Sequence, residues 1–302
     1  MRDIFALLWL LPCVISGAVL PEPRQARAAT ATEIANLAEQ LYAADVNKAS
    51  TSDVTLNLQY KATGSQTSSG TDFASQKLYS YVNEGKLFAR PTYSRYIALL
   101  DNYIKTTGTA ESVPSAEIAE QNAFIDEIFK TSVISQLSNF LVSKGYYTST
   151  ASFKTDLKEM WFGLYTRTKG PLDSSGFEHI FHGEIHNGGI SGFHSWVQFY
   201  LQEKAGQINY LSYSAKGPWS GYPDVYGFQF KWGTYLKTLG SMFIGSSPEF
   251  EIGILTLCYV TSPDKLCSVK IGGQTLKIQT YTWANSTYGN GKRYVASAYP
   301  TV

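Results

Sequence analysis

GFEHIFHGEIHNGGISGFHSW, residues 176–196, holds all four histidines of the 302-residue chain, together with two glutamates and five glycines. His182 and His186 stand four apart, the spacing of two metal ligands on one helix face, but Gly183, Gly188 and Gly189 interrupt any continuous helix there. The stretch reads instead as a strand over FEHIFHGEI, a turn at HNGG and a return through SGFHSW toward a helix, with Ser191 or Gly192 near its cap. Alternate side chains of a strand share a face, so His179 and Phe181 point one way and Glu178, Ile180 and His182 the other. The expectation is one pocket faced by His179 and His194. His182 and His186 are left to the surface or to a supporting role.

The hydrophobic period changes at this segment. Upstream, Thr30 and Glu33 form a capping box ahead of a helix striped by Ile34, Leu37 and Leu41. TYSRYIALLDNYIK puts Tyr96, Ile97, Leu100, Tyr103 and Ile104 on one side of a second helix. SAEIAEQNAFIDEIFK does the same with Ile118, Phe124, Ile125 and Ile128, and SFKTDLKEMWFGLY with Phe153, Leu157, Met160, Trp161 and Leu164. KATGSQTSSGTDFASQ is a polar surface loop. Downstream, INYLSYS, YGFQFKW, EFEIGILTLCYV, SVKI, LKIQTYTW and RYVASAY read as strands, interrupted by one helix in HSWVQFYLQEK. Helices first and mostly antiparallel strands later give an α+β fold. Its helical N-terminal part covers 30–170 and its β-rich part 171–302, within one continuous domain over 30–302.

Apolar residues make up 44% of the sequence, enough for a folded core, and a formal net charge of +1 excludes attraction of nucleic acid to the whole surface. IFALLWLLPCVISGAVL, broken by Pro12 and closing on small residues, predicts a signal peptide over 1–18 followed by a connector over 19–29, hence a secreted protein. Loss of that leader leaves Cys258 and Cys267, which flank what reads as a hairpin tip and form a candidate disulfide. Asn285 opens a glycosylation sequon.

Two imidazoles facing one pocket suit a reaction that removes a proton at one place and delivers one at another, because an unperturbed histidine titrates near ~6.5. Phosphodiester transfer in RNA has that demand. The 2′-hydroxyl loses a proton as it attacks phosphorus, the departing 5′-oxygen gains one, and the charge that builds on phosphorus calls for a fixed cation such as a lysine.

GFEHIFHGEI…GFHSWVQFYLQEKAG, then FQFKWGTYLKTLGSMFIGSSPEFEIGILTLCYV and a final SAYP, closely resemble the EndoU family, secreted eukaryotic endoribonucleases that prefer poly(U). The likeness runs upstream through YIALLDNYIKTTGTAE and EMWFGLYTR, and the same catalytic pattern occurs in the coronavirus uridylate-specific endoribonuclease. The resemblance implies a triad of His179, His194 and Lys237; Lys237 is preferred to Lys231 because the family's lysine stands four residues before the serine of a Gly-Ser pair. It implies that His194 is the base and His179 the acid, that Ser241 and Tyr299 contact the uracil, and that Glu178 and Glu184 support activity. The implied substrate is single-stranded uridine-containing RNA, cleaved to a 2′,3′-cyclic phosphate and a 5′-hydroxyl by a monomer. Mn2+ or Ca2+ is implied as an activator, although the proton transfers need neither. Two departures stand out: His182, where an apolar residue is frequent, leaves the triad untouched, whereas a compact SAKGPWSGYPDVYG before the lysine region implies a changed approach for the substrate. Two other readings stay open: a metal-dependent hydrolase built on the histidine cluster, and a non-catalytic secreted protein that binds RNA or a lipid surface. Neither accounts for His179, His194, Lys237, Ser241 and Tyr299 together.

Overall fold

Thr30 caps the first helix, α1 (Ala31–Ala44), in the expected reciprocal box: its hydroxyl accepts from the Glu33 N–H while the Glu33 carboxylate accepts from the Thr30 N–H. The computed structural model describes residues 27–302, so the leader expected over 1–18 lies outside the described residues. A ribbon of β1 (Val54–Leu56) and β2 (Tyr79–Val82) brackets the polar stretch, which holds only the short α2 (Gly64–Thr67). The helical part continues with α3 (Glu84–Leu87), α4 (Pro91–Ala98), α5 (Ser115–Ile128), α6 (Ser132–Ser143) and α7 (Thr150–Phe162).

Two expected stripes are corrected here. The helix predicted through Ile104 stops at Ala98 and tightens into a 3-10 turn over Leu99–Asp101, because the Ile104 N–H donates to the Glu111 carboxylate and not to a helical carbonyl. Ile118 was placed in the buried stripe of α5, yet it is 41% exposed, since α5 packs only its Gln121, Phe124, Ile125 and Ile128 face inward. The helix α6, capped by Thr131, had not been anticipated.

The β-rich part begins with a hairpin of β3 (Glu184–His186) and β4 (Gly189–Ser191) and the helix α8 (Trp196–Lys204). Three antiparallel strands follow, β5 (Ile208–Lys216), β6 (Asp224–Trp232) and β7 (Tyr235–Ile244), of which β7 was not read from the sequence. The largest correction falls next. EFEIGILTLCYV, expected as a strand, is the body of a helix, α9 (Pro248–Thr261), buried from Pro248 through Tyr259. A helix enclosed on every side carries apolar residues on every side, so its periodicity cannot be told from that of a buried strand. The deciding signals were local: Ser247 accepts from the Phe250 N–H, Pro248 takes the first helical position, and Glu249 and Glu251 occupy the first turn.

A second antiparallel sheet, in the order β10-β9-β8, is made by β8 (Leu266–Ile271), β9 (Gln274–Tyr288) and β10 (Lys292–Pro300). α1 packs on α6, α9 and β8, so N-terminal helices and C-terminal strands share one core. Cys258 and Cys267 are joined in a disulfide. The pair links the end of α9 to β8 and does not close a hairpin tip, as the sequence had suggested. Asn285 is exposed on β9. Tyr96, Phe124, Phe177, Phe181 and Trp161 interlock edge-to-face or tilted beneath the histidine segment, and this rigid aromatic floor is what the candidate site stands on.

Candidate active site

The histidine segment departs from the expected strand in its first half. Glu178–His182 forms a π-helical turn, with the Gly183 N–H donating to the Glu178 carbonyl, and only from Glu184 does the chain become extended. The turn at Asn187-Gly188 is present, both residues at positive φ, as a tight hairpin requires. The cap of α8 is Ser195, not Ser191 or Gly192.

The returning strand docks on the π turn. The Phe193 N–H donates to the His179 carbonyl and the His194 N–H to the Ile180 carbonyl, at 2.9 and 2.7 Å. Gly192 sits at positive φ, and a Cβ there would collide with the His179 carbonyl oxygen. These backbone contacts bring two histidines fifteen positions apart to the same wall of a cavity of about 450 Å³. Lys237 and Ser241 of β7 and Tyr299 of β10 line it as well. The pocket thus gathers all five of the residues assigned to triad and base contact.

Each imidazole is oriented through Nδ1. The His179 Nδ1–H donates to Glu184 Oε2 at 2.9 Å, and the His194 Nδ1–H donates to the Ser241 carbonyl at 2.7 Å. Nε2 of neither ring has a hydrogen-bond partner among the described residues. Tyr299 stacks flat on His194, with ring centroids 4.7 Å apart. Burial, reinforced by the Arg167 guanidinium, lowers the His179 pKa to about 4 despite the Glu184 carboxylate. Burial and then the nearby Lys237 ammonium hold His194 well below its ordinary value. The Lys237 Nζ donates to the Ile190 and Gly192 carbonyls at 3.2 and 2.8 Å, and desolvation lowers its pKa to about 8.

A family model described as Endoribonuclease XendoU matches residues 33–300. The chain belongs to the XendoU family. It is 72% identical to uridylate-specific endoribonuclease D of Xenopus laevis, with each chain covered in full, and 49% identical to the uridylate-specific endoribonuclease of Bos taurus, covering 90% of this chain and 66% of that one. A solved XendoU, described as a splicing-independent snoRNA-processing endoribonuclease, superposes with a TM-score of 0.72 at 37% identity, over 89% of this chain and 96% of the other.

Around this XendoU-type pocket the two glutamates behave differently. Glu184 is fully buried. Burial alone would raise its pKa, but the pairing with His179, the Arg167 Nε at 3.1 Å and the Ser174 hydroxyl outweigh it, and the carboxylate stays ionised. Glu178 does not line the pocket, and neither of its oxygens has a hydrogen-bond partner among the described residues. Burial, with Glu184 nearby, raises its pKa to about 10, so it is a neutral acid at pH 7.

The remaining histidines stand apart. His182 is buried between Tyr103 and Trp232, its Nδ1–H donating to the Gly183 carbonyl, and is not a surface residue as one expectation had it. His186 is held by Thr107 and Asn187. Among the described residues no three His, Cys, Asp or Glu side chains gather at metal-binding range, so the four-histidine hydrolase has no assembled ligand set there. Arg167, Ser297 and Thr301 were missed by sequence reasoning. Arg167 lies within the EMWFGLYTR likeness but gave no local signal, since its partner Glu184 follows only after an intervening loop.

The Arg167–Glu184–His179 chain carries a prediction. Glu184→Gln keeps an acceptor for Nδ1 but removes the charge that favours imidazolium, so the His179 pKa falls further and cleavage slows by about 10–100-fold, one to two pKa units' worth. NMR titration of the imidazoles checks this; an unmoved His179 pKa would count against the pair.

Proposed function

We propose that the protein is a uridylate-preferring endoribonuclease that cuts single-stranded RNA by attack of the ribose 2′-hydroxyl. The observation that carries this reading is the sharing of one pocket by His179, His194 and Lys237, each imidazole with Nδ1 bonded away and Nε2 open. His194 rests on a neutral carbonyl beside an ammonium, an environment that keeps it unprotonated and fits the base. His179 rests on the ionised Glu184, which favours its imidazolium once an anionic phosphate arrives, and fits the acid. Nε2 of His194 takes the 2′-proton, Nε2 of His179 delivers one to the 5′-oxygen, and the Lys237 ammonium faces the charge that builds on phosphorus. Products are a 2′,3′-cyclic phosphate and a 5′-hydroxyl. Ser241 and Tyr299, on the walls beside His194, receive the uracil.

Mn2+ or Ca2+ enters this scheme only as an activator that orders loops or screens RNA charge, and no proton transfer passes through it. Export as a monomer, with the leader removed at residue 18 and Asn285 glycosylated, completes the proposal; the joined Cys258 and Cys267 support it. No described helix is long and apolar enough to cross a membrane.

The deciding experiment uses an RNA with a single uridine and its 2′-deoxy counterpart at that position. Cleavage after the uridine of the first, leaving a cyclic phosphate, and none of the second is the expected result, and it persists in excess chelator. Cutting of the deoxy substrate would overturn the mechanism.

A further inference from the structure

Away from the pocket, the sheet β10-β9-β8 keeps one face in solvent. Ile278, Thr280, Cys267 and Val269 point into the core, whereas Lys277, Gln279 and Tyr281 of β9 and Leu266, Ser268 and Lys270 of β8 point outward. The strand register joins this outer face directly to the candidate site. Ser297 and Tyr299, which line the pocket, lie opposite Tyr281 and Gln279, and Gln279 in turn lies opposite Leu266. In the next rows Lys277 pairs with Ser268 and Thr275 with Lys270. The platform therefore extends two strand spacings, about 10 Å, from the pocket wall.

Its chemistry suits a single-stranded polyanion. The three strands contain no Asp or Glu. Lys270 and Lys277 enter none of the ion pairs found among the described residues. Tyr281 is 46% and Leu266 53% exposed, and Leu239, 55% exposed, stands at the pocket mouth on the other sheet. A lone exposed apolar side chain is ordinary. Here, however, four of the ten large apolar side chains exposed among the described residues, Leu239, Leu266, Tyr281 and Val302, border the pocket or the face that leads from it. Apolar or aromatic side chains interleaved with unpaired lysines are how proteins hold unstacked bases and the phosphates between them.

We propose that the outer face of β10-β9-β8 is the track for the RNA strand beyond the cleaved nucleotide, with Tyr281 under a flanking base and Lys277 and Lys270 facing phosphates. This rests on the endoribonuclease reading, and the test separates the two. Binding is measured by fluorescence anisotropy on a twelve-nucleotide RNA carrying 2′-deoxyuridine at its one uridine, so that no cleavage is needed. Cleavage is measured in parallel on the all-ribose oligonucleotide and on the dinucleotide uridylyl-adenosine. The K270E/K277E double variant weakens oligonucleotide binding about tenfold or more and reduces the log–log salt slope by about 1.4, the share of two phosphates on a single strand. Tyr281→Ala weakens it by about 5–100-fold, the range for loss of one stacked base. On the long RNA kcat/KM falls in step, while the dinucleotide is cut at the wild-type rate. Lys130→Glu, on the helical side, serves as the charge control.

Wild-type affinity and salt slope in the double variant would overturn the track, and so would an equal loss on the dinucleotide, which would place the defect in the pocket. If the wild-type protein cut neither RNA, the endoribonuclease reading would fall, and the anisotropy measurements would still decide whether this face binds RNA.

Discussion

Replacing His194 with alanine is expected to lower kcat for cleavage at uridine by about 10²–10⁴-fold, and replacing His179 to do the same, because in the proposed mechanism each removes one of the two proton transfers. The geometry makes these losses specific. Neither ring carries a backup: Nδ1 of each is committed to Glu184 or to the Ser241 carbonyl, and the other two histidines, His182 and His186, are bonded elsewhere. Water is the remaining route for either proton. Groups that act as a unit are not additive, so the double variant should be little slower than the worse of the two single ones. Losses that multiplied would indicate independent roles and count against a concerted acid and base. Thermal unfolding of each variant separates chemistry from folding, since both rings are buried and their removal leaves space. An alanine variant at either position that folds normally and cleaves within tenfold of wild type would sink the assignment.

How much of this was legible follows from what each residue's neighbours in sequence could signal. The α+β class was, because amphipathic stripes and alternating runs are local, and the capping box at Thr30 and Glu33 formed as written. The helix α9 was not, because burial on all sides erases the period and leaves only the start signals, Ser247, Pro248, Glu249 and Glu251, to speak for a helix. The pocket was legible through motif likeness more than through strand geometry. His179 sits on a π turn, where the strand parity used to separate it from His182 does not apply, although the separation itself holds: His182 faces Tyr103 and Trp232 while His179 faces the cavity. Lys237 came from the family likeness, in which the lysine stands four residues before the serine of a Gly-Ser pair, and its strand was missed because YLKTLGS alternates poorly. Arg167 stayed silent because an ion pair across a loop leaves no period at all.

Lys237 gives the other large effect, and its pH dependence distinguishes a catalytic cation from a merely structural one. An ammonium has three donors; two are held by the Ile190 and Gly192 carbonyls, which leaves one for the cavity. In the proposed mechanism Lys237→Ala removes the fixed charge facing phosphorus, and it is expected to lower kcat by about 10²–10³-fold, the cost of losing one donor to a transition-state oxyanion. With its pKa lowered to about 8, Lys237 is a cation below that pH and loses its charge above it. Wild-type kcat/KM reports the free enzyme, in which the low His179 pKa already imposes a decline with rising pH, so it should fall by about a further tenfold per unit as pH rises through 8, a second limb that belongs to Lys237. Lys237→Arg stays charged across this range, so whatever activity it retains should show no such limb near pH 8. A lysine that only tied β7 to the Ile190–Gly192 segment would cost stability when removed and leave the rate of the folded enzyme, and the alkaline limb, where they were.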